Sequence, residues 1–237
     1  MIEDRNFGPI TVGSSVTVRF QDQWAHRGHL INSGLISPDH KYFYVNIPKN
    51  NSSFVKHKIE PLGWEFASIE DYRDAIPIVV LRDPINRWVS GIAEYLFMYC
   101  LPTLDRNGYY KSPIGYAGLH GQDLALSIIF ENIVFDDHTE QQVKFLQDVG
   151  ELDRCIFFKS DRTFTDKFNT FLTSNGYDIS ITTNNRVNDD DSVEFDRRKN
   201  LKEFFKQYLE DFPTAKEKLK EYFAADQFLI DSVNYYE

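Results

Sequence analysis

The stretch KYFYVNIPKNNSSFVKHK, Lys41 to Lys58, decides how the rest of the chain is read. Tyr42 to Ile47 is a run of β-branched and aromatic residues with the length of a buried strand, Pro48 ends it, and Lys49 to Ser53 is a small polar loop. Phe54 and Val55 then open a helical spacing that continues to Ile59 and Leu62. Strand, tight loop and helix in that order aim the free N–H groups of the first helical turn, and the positive end of the helix dipole, at whatever lies beside the loop. Lys49 adds a full positive charge there, beside the hydroxyls of Ser52 and Ser53, a combination suited to phosphate or sulfate. An ordinary polar strand-to-helix turn would carry the same residue types, so a second segment has to decide between the two readings.

The nucleotide-binding pattern G-x-x-x-x-G-K-[ST] puts glycines ahead of its lysine, whereas Lys49 precedes the turn and no glycine lies in the loop. Asn51 stands where phosphate loops often carry glycine, and Asn tolerates positive φ, which keeps a tight turn open. The second segment is IPIVVLRDPINRWVSGIAEYL, Ile76 to Leu96. Ile78 to Leu81 reads as a buried strand, and Asp83-Pro84 as helix N-cap and first helical residue. Trp88, Val89, Ile92, Leu96 and Phe97 share one helical face, which leaves Arg82 at the strand end and Ser90 on another face near the helix start. Open parallel sheets bind ligands at the carboxyl edge of their strands, and a guanidinium with a hydroxyl is a clamp for a phosphate monoester.

The chain has 237 residues, 42% hydrophobic and 15% aromatic, enough for a sizeable core and a single α/β domain over 1–237. A net charge of −10 argues against nucleic acid or an anionic membrane as partner, so any anion site must be local. Cys100 and Cys155 lie far apart without metal-ligand spacing, and His26 and His29 lack a third ligand, so neither a disulfide framework nor a metal site is expected. The opening MIEDRNFGPI has no charged n-region followed by an apolar h-region, and no run approaches the ~18 apolar residues of a membrane span. A soluble, cytoplasmic protein is the expectation.

Together the two segments resemble the sulfotransferases that use 3′-phosphoadenosine-5′-phosphosulfate (PAPS). IPKNNSS is similar to their 5′-phosphosulfate loop, and VVLRDPINRWVSGIAEY to their 3′-phosphate segment, an R-x-P-x-x-R-x-x-S pattern after a strand. Order and spacing agree best with the carbohydrate (Golgi-type) branch and its bacterial and viral relatives. The resemblance implies a P-loop-kinase-like fold with a central parallel sheet flanked by helices. It implies further that Lys49, Asn50, Asn51, Ser52 and Ser53 hold the phosphosulfate and that Arg82 and Ser90 hold the 3′-phosphate, without a metal. Asn51 departs from the common glycine, and the membrane anchor of Golgi members has no counterpart here.

The remaining segments are read around that frame. Residues 1–39 form an N-terminal extension over part of the core, with weak strand-like alternation from Ile10 to Phe20. Residues 101–121 form an insertion rich in Gly, Pro and Tyr, either a surface loop or part of an acceptor cleft, where Tyr109, Tyr110, Tyr116 and His120 would meet an acceptor. Thr139 and Gln142 make a capping box for a helix through Val143, Leu146 and Val149 to Gly150. DDHTEQQVKFL loosely resembles a cleft-lining stretch of the carbohydrate enzymes, which makes His138 and Gln141 acceptor-site candidates against a solvated helical turn. CIFFK, Cys155 to Lys159, is a third buried strand, followed by a helix through Phe168, Phe171 and Leu172 that stops at Asn175-Gly176. Asn185, Arg186 and Asn188 stand about where the family folds a loop over the nucleotide, and an acidic surface loop is the other reading.

In the implied reaction an acceptor hydroxyl, from a carbohydrate or other small alcohol, attacks sulfur in line with the departing phosphate oxygen. Lys49 and the loop N–H groups stabilise the charge that grows on that oxygen. The sulfuryl group itself carries little charge, so no Mg²⁺ clamp is required. A general base takes the acceptor proton. Several heparan enzymes place it between the two motifs, shortly after a glycine, and Gly63-Trp64-Glu65 occupies a comparable place. Trp64 and Phe66 would desolvate Glu65 and raise its pKa. His57, Glu70 and His138 are the alternatives. Two other classes remain open, a nucleotide-kinase-like phosphotransferase and a nucleotide-binding module without catalysis.

Overall fold

The computed structural model describes residues 10–12, 16–18, 30–96, 129, 133–181 and 193–237. Seven strands lie among them: β1 Ile10–Val12, β2 Val16–Val18, β3 Ser33–Ile36, β4 Tyr42–Val45, β5 Glu65–Ser68, β6 Ile76–Leu81 and β7 Ile156–Lys159. The α-helices are α1 Ser52–Ile59, α2 Pro84–Tyr95, α3 Phe164–Ser174, α4 Val193–Asp211, α5 Pro213–Tyr222 and α6 Ala224–Ser232. They divide between two units, one of Met1–Arg27, Trp88–Thr139 and Asp191–Tyr222, the other of Gly28–Arg87, Glu140–Asp190 and Phe223–Glu237. Helix α2 belongs to the second unit up to Arg87 and to the first from Trp88.

The second unit holds a five-stranded sheet in the order β5-β3-β4-β6-β7. β4, β6 and β7 are the three strands expected from the hydrophobic runs, and they pair in parallel. Both faces of this part are buried, which explains why the strands read as unbroken apolar stretches rather than alternating ones. Alternation still sorts the side chains: Tyr42, Tyr44, Ile78, Val80 and Phe158 pack with Val55 and Ile59 of α1 and Phe164, Phe168 and Phe171 of α3. Phe43, Val45, Val79, Leu81 and Phe157 pack on the other side with Phe145, Leu146, Val149 and Leu229.

The sheet is mixed rather than wholly parallel, and it draws on a segment expected to be a peripheral extension. β3, within residues 1–39, runs antiparallel to both β4 and β5 and sits inside the sheet. Gly34 permits this: a Cβ there would come within 2.0 Å of the Tyr44 carbonyl and 2.4 Å of the Phe43 ring. The same glycine makes SGLIS look like a turn in sequence. β5 supplies one edge. At the other edge Tyr235 bridges to Phe157 and the Tyr236 N–H donates to the Phe157 carbonyl at 2.8 Å. The chain is thus an α/β fold with a mixed sheet flanked by helices.

In the first unit β1 and β2 form an antiparallel hairpin, Ile10 opposite Val18. The Trp88 ring meets Phe205 of α4 edge-on at 5.6 Å and its Nε1–H donates to the Ile133 carbonyl at 2.8 Å. Arg198 of α4 pairs with Glu94 of α2 at 3.2 Å. Cys100, His26, His29, Leu124, Tyr109, Tyr110, Tyr116, His120, Asn185, Arg186 and Asn188 lie outside the described residues. Among the described residues no helix is long and apolar enough to cross a membrane, and no group of three or more His, Cys, Asp or Glu residues is disposed around a metal position.

Candidate functional site

The loop between β4 and α1 lies at the carboxyl end of the parallel strands. Its tightness comes from two residues other than glycine in left-handed conformation, Lys49 at φ 66° and Asn51 at φ 59°. Asn51 therefore does what the missing glycine would do, at the position where the sequence allowed it. As N-cap of α1 it makes no side-chain cap bond, and no acidic residue lies in the first helical turn. The N–H groups of that turn are left to face an external acceptor. Ser52, half-buried, and Ser53, exposed, open the helix, and Lys49 is half-buried beside them.

Three successive loop residues are bound to the segment around Arg82. Arg87 Nε–H donates to the Pro48 carbonyl at 3.0 Å, Arg82 Nη1–H to the Lys49 carbonyl at 2.9 Å, and Asn50 Nδ2–H to the Val80 carbonyl at 2.7 Å. The two sequence segments thus meet in one place, as strand order and carboxyl-edge logic required. Asp83 caps α2 by accepting the Asn86 N–H at 2.7 Å, so Pro84 opens the helix as expected. Burial lowers the pKa of the Arg82 guanidinium while neighbouring Asp83 acts against the shift, and the group remains a cation.

Arg87 went unassigned in the sequence although it is the second arginine of the motif. It is fully buried, also donates through Nη1 to the Glu140 carbonyl, and lies 5.8 Å over the Phe145 ring. It braces the loop from beneath.

Gln142 and Asp226 were missed as well. The expected capping box does not form: Gln142–Leu146 is a 3₁₀ turn, while the Thr139 hydroxyl accepts from the Phe135 and Asp136 N–H groups at 2.8 and 3.1 Å. Gln142 instead turns its side chain to Asn50 and Arg82, and its own backbone N–H donates to Asp226 Oδ2 at 2.9 Å. Burial raises the Asp226 pKa, against which the N–H groups of Gln142 and Val143 and the charge of Arg87 act.

Glu65 is not in this place. The register sets Glu65 opposite Ile36 and Ile36 opposite Phe43, so Glu65 begins an edge strand parallel in direction to β4. It stands at the amino edge of the sheet, whereas the loop leaves the carboxyl edge. Its side chain is exposed, and Phe66 is itself 64% exposed while Trp64 is buried, so the aromatic shelter expected for the carboxylate is not built. Glu70 is exposed after the far end of the same strand, where it accepts from Asn32 Nδ2 at 3.0 Å. His57 is exposed in the last turn of α1, away from the first.

Ser90 and His138 belong to the first unit. Ser90 is buried on α2. His138 is not in a solvated turn: it is 25% exposed, its Nδ1 lies 2.7 Å from Oδ2 of buried Asp136, and its backbone N–H donates to Asp136 Oδ1 at 3.0 Å. An Asp on Nδ1 fixes the ring and leaves Nε2 as the nitrogen for an external proton. Gly91 of α2 lies under this turn, since a Cβ there would come within 2.0 Å of the His138 carbonyl. Among described residues the sequence candidates therefore sort into a loop cluster of Lys49 to Ser53 with Arg82, an Asp136–His138 pair, Glu65 at the opposite edge of the sheet, His57 at the far end of α1, and Glu70 at the carboxyl edge beyond β5. The chain matches no protein-family model, no curated protein and no solved structure.

Proposed function

We propose that this chain is a PAPS-dependent sulfotransferase acting on a hydroxyl of a carbohydrate or other small alcohol. The observation that supports the reading most is the junction of the two motif segments: a left-handed loop carrying Lys49, uncapped N–H groups at the start of α1, and Arg82 bonded to the Lys49 carbonyl. This set offers donors and positive charge with no carboxylate in the first helical turn, which fits a phosphosulfate.

When bound, the nucleotide supplies a sulfuryl group on a phosphate leaving group. The α1 N–H groups and the hydroxyls of Ser52 and Ser53 bind its anionic oxygens. Lys49 holds its ammonium toward the leaving oxygen, where charge grows in the transition state. Arg82 takes the second phosphate. The general base stays among the four candidates Glu65, His57, Glu70 and His138.

The test is binding of adenosine 3′,5′-bisphosphate in the presence of EDTA, followed by transfer of labelled sulfate from PAPS to a panel of sugars and alcohols. Binding and transfer are expected. Nucleotide binding only as a triphosphate with Mg²⁺ would replace this reading with a phosphotransferase, and binding without transfer to any acceptor would leave a nucleotide-binding module.

A further inference from the structure

Gln142 is fully buried and all four hydrogen-bonding positions of its amide are used. Oε1 accepts from Asn50 Nδ2 at 2.6 Å and from the Arg82 N–H at 3.0 Å; Nε2 donates to the Arg82 carbonyl at 2.9 Å and to Asp226 Oδ2 at 3.4 Å. With Arg82 it makes the two-way pairing that a neighbouring strand would make, and so extends the sheet one residue past β6 by a side chain. Asp226 holds the base of this arm, accepting the backbone N–H of Gln142 at 2.9 Å and of Val143 at 3.0 Å.

We infer that Gln142 is a positioning residue for the Pro48–Ser53 anion loop, and that Asp226 of α6 acts on the loop chiefly through Gln142, with the Arg87 that holds the Pro48 carbonyl as a weaker electrostatic route. A buried amide and a buried carboxylate are expensive ways to hold a core together, since apolar residues of the same shape stabilise as well. What a buried amide with every position used adds is a single geometry. Here the geometry fixed is that of Asn50, whose side chain carries the loop, and of the Arg82 main chain, whose side chain holds the Lys49 carbonyl. The C-terminal helix therefore sets the shape of the anion site from behind, without facing the ligand.

The test is a double-mutant cycle of Gln142→Met and Asp226→Asn, read by amide hydrogen exchange over residues 50–54 and by affinity for adenosine 3′,5′-bisphosphate. Gln142→Met is expected to raise exchange locally in the loop and to weaken the nucleotide by about tenfold or more, and Asp226→Asn to do the same by less. The double variant is expected to match Gln142→Met alone. Additive effects, exchange that rises evenly across β4, β6 and β7, or an unmoved loop would overturn the inference. If Gln142→Met does not fold, Asp226→Asn decides by the same local-against-even comparison. The affinity arm rests on the sulfotransferase reading and the exchange arm does not, so a wild-type chain that ignores the nucleotide removes that reading while the exchange cycle still judges the loop.

Discussion

Lys49 is asked to do two things that pull against each other, and replacing it with glycine separates them. At φ 66° its Cβ sits in the left-handed region, which costs an L-residue about 1–2 kcal/mol. Glycine adopts that conformation freely, offset by roughly 0.5–1 kcal/mol of extra backbone entropy in the unfolded chain. Lys49→Gly should therefore leave the protein as stable as before or up to about 1.5 kcal/mol more stable, because the carbonyl that accepts from Arg82 is backbone and survives the change. Lys49→Ala keeps the strained Cβ and should be less stable than the glycine variant by about 0.5–1 kcal/mol. Both lose the ammonium, and sulfuryl transfer should fall by roughly 10² to 10³ in each, the usual effect of removing a preorganised donor at a developing oxyanion. Urea midpoints at constant m-value give the stability order, and labelled sulfate released from PAPS to acceptor gives the rate. A glycine variant with wild-type turnover would refute the role of the side chain. An alanine variant as stable as the glycine one would refute the backbone argument, whatever the turnover.

Arg82→Ala should weaken adenosine 3′,5′-bisphosphate by about 1.5–3 kcal/mol, the range for a charged hydrogen bond, and weaken a nucleotide lacking the 3′-phosphate by much less; calorimetry that finds equal losses would contradict it. Of His138→Gln and Glu65→Gln, the variant that removes the general base should lower turnover by roughly 10² to 10⁴ and abolish the acidic limb of the pH–rate profile, and the other should change neither. Full turnover in both variants would leave the base with His57 or Glu70. Burial pushes the Cys155 thiol up to about 11, so at pH 8 it should alkylate about 10² more slowly than an ordinary cysteine and speed up as pH rises toward that value. Peptide mapping after brief iodoacetamide treatment reads this directly, and rapid labelling at pH 8 would show the thiol to be accessible.

What could be read from the sequence was whatever rests on neighbours in the chain. The apolar runs of β4, β6 and β7, the Asp83-Pro84 start of α2, the Asn175-Gly176 stop of α3 and the left-handed Asn51 all follow from local chemistry, and all are in the structure. β3 was hidden because the residue that lets it lie against Tyr44 is a glycine, which in sequence signals a turn. The place of Glu65 was not legible because flanking aromatics say nothing about register, and register alone puts it at the amino edge of the sheet. Thr139 and Gln142 fit the capping pattern, yet Thr139 turned back to Phe135 and Asp136, and Gln142 was claimed by Asn50 and Arg82, 92 and 60 residues away, separations no local pattern reaches. Arg87 was visible in the motif, but its task of holding the Pro48 carbonyl depends on a loop 39 residues earlier.

The clamp that Asp226 puts on Gln142 spans 84 residues of chain. At a synthesis rate of about 5–20 residues per second, the ribosome makes Gln142 some 4 to 17 seconds before the carboxylate that is to hold it. During that interval β4, α1, β6 and α2 have all been made, while the Pro48–Ser53 loop lacks the partner that fixes its support. Nascent chains halted before α6 should therefore show a formed parallel pair but an unsettled loop, and the ability to capture an anion should arrive late and abruptly with the last helix.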